Sequence, residues 1–222
     1  MKIAVLGTGS VGQAFAERLT GLGHQVIIGT RNADEKRKDQ KFSDFLSKNK
    51  AVQLGTFAEA GAFGEMIINV SRGETTIATL KAAGKENLDG KILVDISNPL
   101  DFSQGMPPGL IPELSNFNSL GEEVQKQFPG TLVVKTLNTM WNGLMLNPAL
   151  IGNGDHINYI CGNDAGAKSR VISLLKEFGW KEAATLDLGD ISAARATEAT
   201  LPIWLRVYGA KQSGAFNFRI VM

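Results

Sequence analysis

The sequence predicts an α/β fold built on a doubly wound parallel sheet, with a small helical extension at the C-terminal end. Three observations carry that expectation. Short apolar runs alternate with segments of helical periodicity as far as Leu188. The first run ends in a glycine-rich turn that opens a helix. After Leu188 the pattern gives way to alanine-rich sequence of helical character.

Lys2–Leu6 reads as a buried strand. Val11, Ala14, Phe15, Leu19 and Leu22 then recur at helical spacing, and Gly21 and Gly23 mark the stop. Gln25–Ile28 is a second strand, and charged Asp34–Lys50 a solvated helix. Val52–Leu54 and Glu65–Val70 are the third and fourth strands, Thr75–Ala83 a helix and Lys91–Ile96 a fifth strand. A loop rich in proline, glycine and serine runs from Asn98 to Leu114. Glu122–Phe128 is helical, Leu132–Lys135 is a sixth strand and His156–Cys161 a candidate seventh. Asp164 caps a helix whose apolar face carries Val171, Ile172, Leu175 and Phe178, and Gly179 ends it. Glu182–Leu186 is a candidate last strand. Ile191–Thr200 is helical, and Pro202 starts or kinks a second helix through Tyr208. The expected organisation is a nucleotide-binding unit over 1–188 and a capping or dimerisation segment over 189–222.

Composition narrows the function. Of 222 residues, 43% are apolar, enough for a real core, and 23 Lys and Arg balance 22 Asp and Glu. That balance argues against a nucleic-acid or membrane-surface partner. A single cysteine, Cys161, cannot form an internal disulfide, and the only histidines, His24 and His156, lie far apart, so no metal site is expected. The apolar run at the start stops at Gly7, too short for a signal peptide, and no run approaches about 18 apolar residues. A soluble, cytoplasmic protein is expected.

Gly7-Thr8-Gly9-Ser10-Val11-Gly12 matches G-x-G-x-x-G between a strand and a helix, the Rossmann context in which the string has a mechanism. Gly7 permits the tight turn, Gly9 lets a diphosphate approach the backbone, and Gly12 lets helix and strand pack closely. Free amides and the helix dipole then favour the anion. The end of the second strand is the next test. An NAD enzyme carries an acid there, whereas this chain reads Ile28-Gly29-Thr30-Arg31-Asn32. A hydroxyl and a guanidinium suit a 2′-phosphate that a carboxylate would repel. NADP(H) is therefore expected, with Thr30, Arg31 and Asn32 as its readers and Lys36 a weaker candidate; the alternative leaves Arg31 a plain surface residue. Polar residues at the other strand ends should face one crevice near the nicotinamide. They are Asn69 and Ser71 with Arg72, then Ser97 and Asn98, then Asn138 and Thr139, with the apolar neighbours Val70 and Leu137 also expected at the cofactor. Ser97 and Asn98 also suit turn formation.

No catalytic acid or base stands out. Tyr208 precedes Lys211 by three residues rather than the four of Y-x-x-x-K, and Tyr159 has no such lysine. His24 reads as structural, and the role of His156 is open. The tail after Leu188 is too short for the large helical domain that hydroxyacid and imine enzymes of this fold commonly carry. Hydride exchange between two stacked cofactor rings needs orientation more than titratable groups.

Gly7–Gly12, Gly29-Thr30-Arg31, Val94-Asp95-Ile96-Ser97-Asn98-Pro99, Val134-Lys135-Thr136-Leu137-Asn138-Thr139 and the tail from Asp187 through Leu201-Pro202-Ile203-Trp204 together resemble the NADPH-dependent reductases of the deazaflavin coenzyme, the F-420 type. The resemblance spans nearly the whole chain and extends to the NADPH-binding domains of membrane metalloreductases. It implies a homodimer that passes hydride between NADPH and a deazaflavin in a shared cleft. Thr30 and Arg31 would hold the 2′-phosphate, and Leu137–Thr139 would lie near the nicotinamide. The Asn98–Leu114 loop, with Phe102, Met106 and Leu110, departs from the archaeal enzymes and reads equally as a substrate lid or an ordered surface loop. Trp204, Tyr208, Phe216 and Phe218 fit a substrate wall, or core and dimer interface. Three functions stay open: a cofactor-to-cofactor reductase using a deazaflavin or flavin, which the resemblance favours, an NADPH-dependent reductase of a small organic substrate or metal chelate, and a non-catalytic NADP(H) sensor.

Overall fold

The computed structural model describes residues 1–221. In chain order it runs β1 (Lys2–Leu6), α1 (Ser10–Gly21), β2 (Gln25–Thr30), α2 (Ala33–Lys38), α3 (Gln40–Lys48), β3 (Val52–Thr56), α4 (Phe57–Phe63), β4 (Met66–Asn69), α5 (Gly73–Ala83), α6 (Lys85–Leu88) and β5 (Ile92–Asp95). A short hairpin, β6 (Leu100–Asp101) and β7 (Gly109–Leu110), precedes α7 (Leu120–Gln127), β8 (Leu132–Thr136) and α8 (Asn142–Leu146). The chain closes with β9 (Asn158–Cys161), α9 (Ala165–Phe178), β10 (Thr185–Asp187), α10 (Ala194–Ala199) and α11 (Leu201–Lys211).

Eight strands form one sheet in the order β10-β9-β8-β5-β4-β1-β2-β3. Starting at β1, one half grows through β2 and β3 and the other through β4, β5 and β8, all parallel. This is the doubly wound Rossmann order, and it places its switch point between β1 and β4, where the glycine turn begins. Alternate residues of each strand feed two cores. Ile3, Val5, Val26 and Ile28 pack with Phe15 and Leu19 of α1, Phe42 of α3 and Val171, Leu175 and Phe178 of α9. Ala4, Leu6, Ile27, Ile67 and Leu93 pack with Ala60, Leu80 and Val124 on the other face. The tail contributes to this second core through Ile191 and Ala194.

Strict parallelism fails at one edge. β9 pairs antiparallel with β8, and β10 runs parallel to β9. The reason is the connection. A parallel step needs a crossover, usually a helix, whereas an antiparallel neighbour does not. Between β8 and β9 the chain offers only the five-residue α8 and short 3-10 turns. The expected single helix over 34–50 is also two, because Asp39 ends α2 and its carboxylate accepts the Phe42 amide to begin α3.

Cys161 lies in β9, fully buried. Burial above all, with further effects from Lys135, Glu198, Lys168 and Asp187, pushes its thiol up to about 12. Iodoacetamide at about pH 8 is therefore expected to leave the native protein unlabelled, and to label it once urea unfolds it. Mass spectrometry reads the outcome, and rapid labelling of native protein would contradict this environment.

Candidate functional site

The glycine turn joins β1 to α1. Gly7 adopts φ +133°, a conformation that side chains rarely take, and its amide donates to the Gly29 carbonyl at 3.2 Å, tying the turn to the end of β2. Gly12 is buried, and a Cβ there would collide with the Gly7 carbonyl oxygen. Gly9 has an ordinary φ of −69° and nothing within 4 Å of its Cβ position. It begins α1 without a side-chain cap and with no acidic residue in the first turn. Uncapped amides, a helix dipole and open space meet at this point, which is the chemistry an anion requires. Thr8 accepts the Gln13 amide group on its carbonyl at 2.9 Å, and Ser10 is exposed beside Gly9.

Across the turn, Thr30 is half-buried, and Arg31 and Asn32 are exposed. Asn32 Oδ1 accepts the Glu35 amide at 3.1 Å and so caps α2. Lys36 donates to Asp39 at 2.9 Å, which leaves Arg31 the freer cation of the two.

A cavity of about 270 Å³ opens between the start of α1 and the ends of β4 and β5. Val11, Val70, Ile96, Leu100 and Phe102 give it apolar walls, and Ser71, Ser97 and Asn98 its polar points. Among the described residues, Arg72 and Glu74 are its only titratable lining side chains. Their charges face each other at 3.6 Å in an exposed pair.

Two matching turns hold the polar wall. Asn69 Oδ1 accepts from the amide and hydroxyl of Ser71 at 3.2 and 2.7 Å. Asp95 Oδ1 accepts from the amide and hydroxyl of Ser97 at 3.2 and 2.7 Å. Strand register sets Asn69 beside Asp95, and Asn69 Nδ2 donates to Asp95 Oδ1 at 2.8 Å. Asn69 is thus fully buried behind the cavity rather than on its surface. At the end of β8, Leu137 takes φ +60°, an unusual conformation for so bulky a residue, and its amide donates to Asn158 Oδ1 at 3.2 Å. The bend turns Asn138 toward Asn98. Asn98 Nδ2 donates to the Asn138 carbonyl at 2.8 Å, and Asn138 Nδ2 donates to Asn98 Oδ1 at 2.9 Å. Asn138 Oδ1 is buried and has no partner among the described residues. Thr139 is buried with it.

Val11, Val70, Ser71, Ser97 and Asn98 therefore meet in one cavity, while Asn69 and Leu137–Thr139 stand outside its lining. Ile96, Gly73 and Glu74 escaped sequence reasoning as cavity residues, whereas Leu100 and Phe102 belong to the loop read as a substrate lid or a surface loop. For Gly73 a signal existed in its place at a strand-to-helix turn: a Cβ there would collide with the Asn98 carbonyl oxygen. The histidines lie elsewhere. His24 bonds Glu177 at 3.0 Å, and buried His156 bonds the Pro148 carbonyl and Asn217 and meets the Trp180 ring edge-on. Phe102 faces the cavity, whereas Met106, at the hairpin tip, is 75% exposed. In the tail, Trp204 stacks between Tyr208 and Phe216, with Phe218 edge-on to Phe216.

This arrangement has known counterparts. A family model described as NADP oxidoreductase coenzyme F420-dependent matches residues 2–99. A crystal structure from Arthrobacter sp. FB24, provisionally named an F420-dependent NADP reductase, superposes with a TM-score of 0.96 at 50% identity and full coverage of both chains. The chain belongs to this family of F420-dependent NADP oxidoreductases. This family member is also 38% identical over 108 residues to the F420-dependent NADP reductase of Methanothermobacter marburgensis, across 47% of its own length and 48% of that protein's. It is 30% identical over 209 residues to Metalloreductase STEAP3 of Rattus norvegicus, across 91% of its own length. It spans only 38% of that metalloreductase. Among the described residues no helix is long and apolar enough to cross a membrane.

Proposed function

We propose that the chain passes a hydride between NADPH and a planar redox cofactor of the deazaflavin or flavin type. One observation carries the reading: an apolar cavity beside the glycine turn whose titratable lining is confined to an exposed Arg72–Glu74 pair. Reduction of a carbonyl or an imine calls for a placed proton donor. A conjugated ring of the flavin type exchanges its proton with water and asks the protein chiefly for orientation.

The residues fit NADPH. Gly9, Ser10 and Val11 would hold the diphosphate on their amides, with Gly7, Thr8 and Gly12 shaping the turn. Thr30, Arg31 and the free amide group of Asn32 would hold the 2′-phosphate. Val70, Ser71, Ser97 and Asn98 would wall the nicotinamide, with Asn69 fixing Ser71 and with Leu137 and Thr139 backing Asn138. The open space beside Gly9 and the uncapped amides at the start of α1 form the cradle that a diphosphate needs. When bound, NADPH supplies the hydride from its nicotinamide ring. This chain's part is to orient that ring on Asn98 and Ser97 and to keep water from it with Val11, Ile96 and Phe102.

We also assign 1–188 to dinucleotide binding and 189–222 to capping and to formation of a homodimer. Exposed Ile203 and Tyr208 on α11 support the latter, and sedimentation of the purified chain tests it.

Arg31→Ala is expected to weaken NADPH binding by about 1.5–3 kcal/mol, the worth of a hydrogen bond to a charged group, and to leave NADH binding unchanged. Calorimetry with both nucleotides checks this, and equal losses would remove Arg31 from the role. The reaction itself is tested by anaerobic mixing of NADPH with a 5-deazaflavin or riboflavin. Failure to oxidise NADPH with either would overturn the proposed acceptor class. Reduction of a ferric chelate without added flavin would favour the second reading, which the similarity to the metalloreductase suggests.

A further inference from the structure

Beneath the polar wall lies a buried ion cluster that hydride transfer does not itself use. The Lys135 ammonium donates to Asp95 Oδ2 at 2.8 Å, to the Ser97 carbonyl at 2.6 Å and to Glu198 Oε1 at 2.8 Å. Its three donors are thus all spent, and Lys135 and Asp95 have no exposed surface. Burial alone would lower the lysine's affinity for its proton, but the Asp95 and Glu198 carboxylates overcome this and raise it above the usual range. Glu198 comes from α10 in the tail, and it also accepts the Leu120 and Gly121 amides at 2.9 and 3.0 Å.

Such a cluster is a poor device for stability alone, because well-packed apolar residues often replace a buried ion pair without loss. What it supplies here is direction. Ser97 has three polar groups, and each is tied: amide and hydroxyl to Asp95, carbonyl to Lys135. Through Asn69, the same aspartate fixes Ser71 on the neighbouring strand end. One ammonium thus sets two turns of the cavity wall and links them to the C-terminal segment.

We propose that Lys135, clamped by Glu198, is a positioning residue that holds the Ser97 and Ser71 turns in the geometry that orients the nicotinamide. The inference rests on the NADPH reading above. It places no group of Lys135 against the substrate. Its action runs through the Ser97 carbonyl and through Asp95.

Full-length Lys135→Met and Glu198→Gln test it, with NADPH as the probe and circular dichroism as the check of folding. Calorimetry should give NADPH dissociation constants within about twofold of the unsubstituted protein, the usual scatter for sites without shared partners, since the diphosphate and 2′-phosphate readers lie on other turns. The fluorescence of bound NADPH should lose its enhancement and fall toward that of the free nucleotide, because the ring is no longer held. With riboflavin as acceptor, kcat should drop about 100-fold, the cost of a misplacement near 1 Å, while the KM for NADPH holds. Glu198→Gln keeps the side chain's volume and an amide acceptor, so it should shift the same readouts less, and it carries the test if Lys135→Met does not fold. A folded variant with undiminished nicotinamide emission would overturn the proposal. Failure of the unsubstituted protein to bind NADPH would instead sink the functional reading, and this one with it.

Discussion

Lys135→Met is expected to lower the free energy of unfolding by about 3–5 kcal/mol, the cost of breaking a buried ion pair from one side. Methionine fills nearly the same volume, so the loss does not come from a cavity. It comes from Asp95 and Glu198, which stay in a core that gives them no route to water. Glu198 keeps two amide donors, and Asp95 keeps Asn69 and Ser97, but neither keeps a cation. For a domain with typical stability of about 5–15 kcal/mol this is a large share. Urea titration followed by circular dichroism measures it. A loss below about 1 kcal/mol would mean that the carboxylates find protons or water unaided.

The second large effect lies in the glycine turn, where two glycines should respond in opposite ways. Gly12→Ala drives a methyl group into the Gly7 carbonyl oxygen, so α1 must move off the strand end. Overpacking of this kind costs about 1–3 kcal/mol in stability. Binding should suffer more. A displaced helix start forfeits two or three hydrogen bonds to a charged diphosphate, each worth about 1.5–3 kcal/mol, which takes NADPH affinity out of the measurable range. Gly9→Ala meets no protein atom within 4 Å and has an ordinary φ, so its stability should change by less than about 1 kcal/mol. Its methyl group would occupy the space assigned to the diphosphate, so NADPH binding should still collapse. Thermal melts and calorimetry on both variants separate the effects. A Gly9→Ala protein that binds NADPH normally would place the diphosphate somewhere else.

Much of this architecture is legible from residue order. Buried parallel strands read as apolar runs, and Lys2–Leu6, Gln25–Ile28 and Leu132–Lys135 are found within a residue or two of their sequence bounds. The glycine string, the missing acid after β2 and the polar strand ends are local signals and needed no third dimension. What was missed depended on pairing or length. Helix α4 is short and its apolar spacing weak, although its capping box, Thr56 with Glu59, is written in the sequence. The reversal of β9 was implicit in a connection without a crossover helix. The α2–α3 break carries no glycine or proline to announce it. A lone lysine in the run Leu132–Thr136 signals burial of a charge, but its partners lie 40 and 63 residues away in β5 and α10, and only the folded sheet brings them together.

The contact between Gly73 and the Asn98 carbonyl bears on how tightly the crevice can close. Backbone presses on backbone there, with no room for even a methyl group. The start of α5 and the turn after β5 therefore cannot close further on one another. The Ile111 amide bonds the Pro99 carbonyl at 2.8 Å and closes the base of the β6–β7 hairpin. Just past that bond, Leu100 and Phe102 bring the hairpin's apolar side chains into the cavity wall beside Ser71 and Ser97.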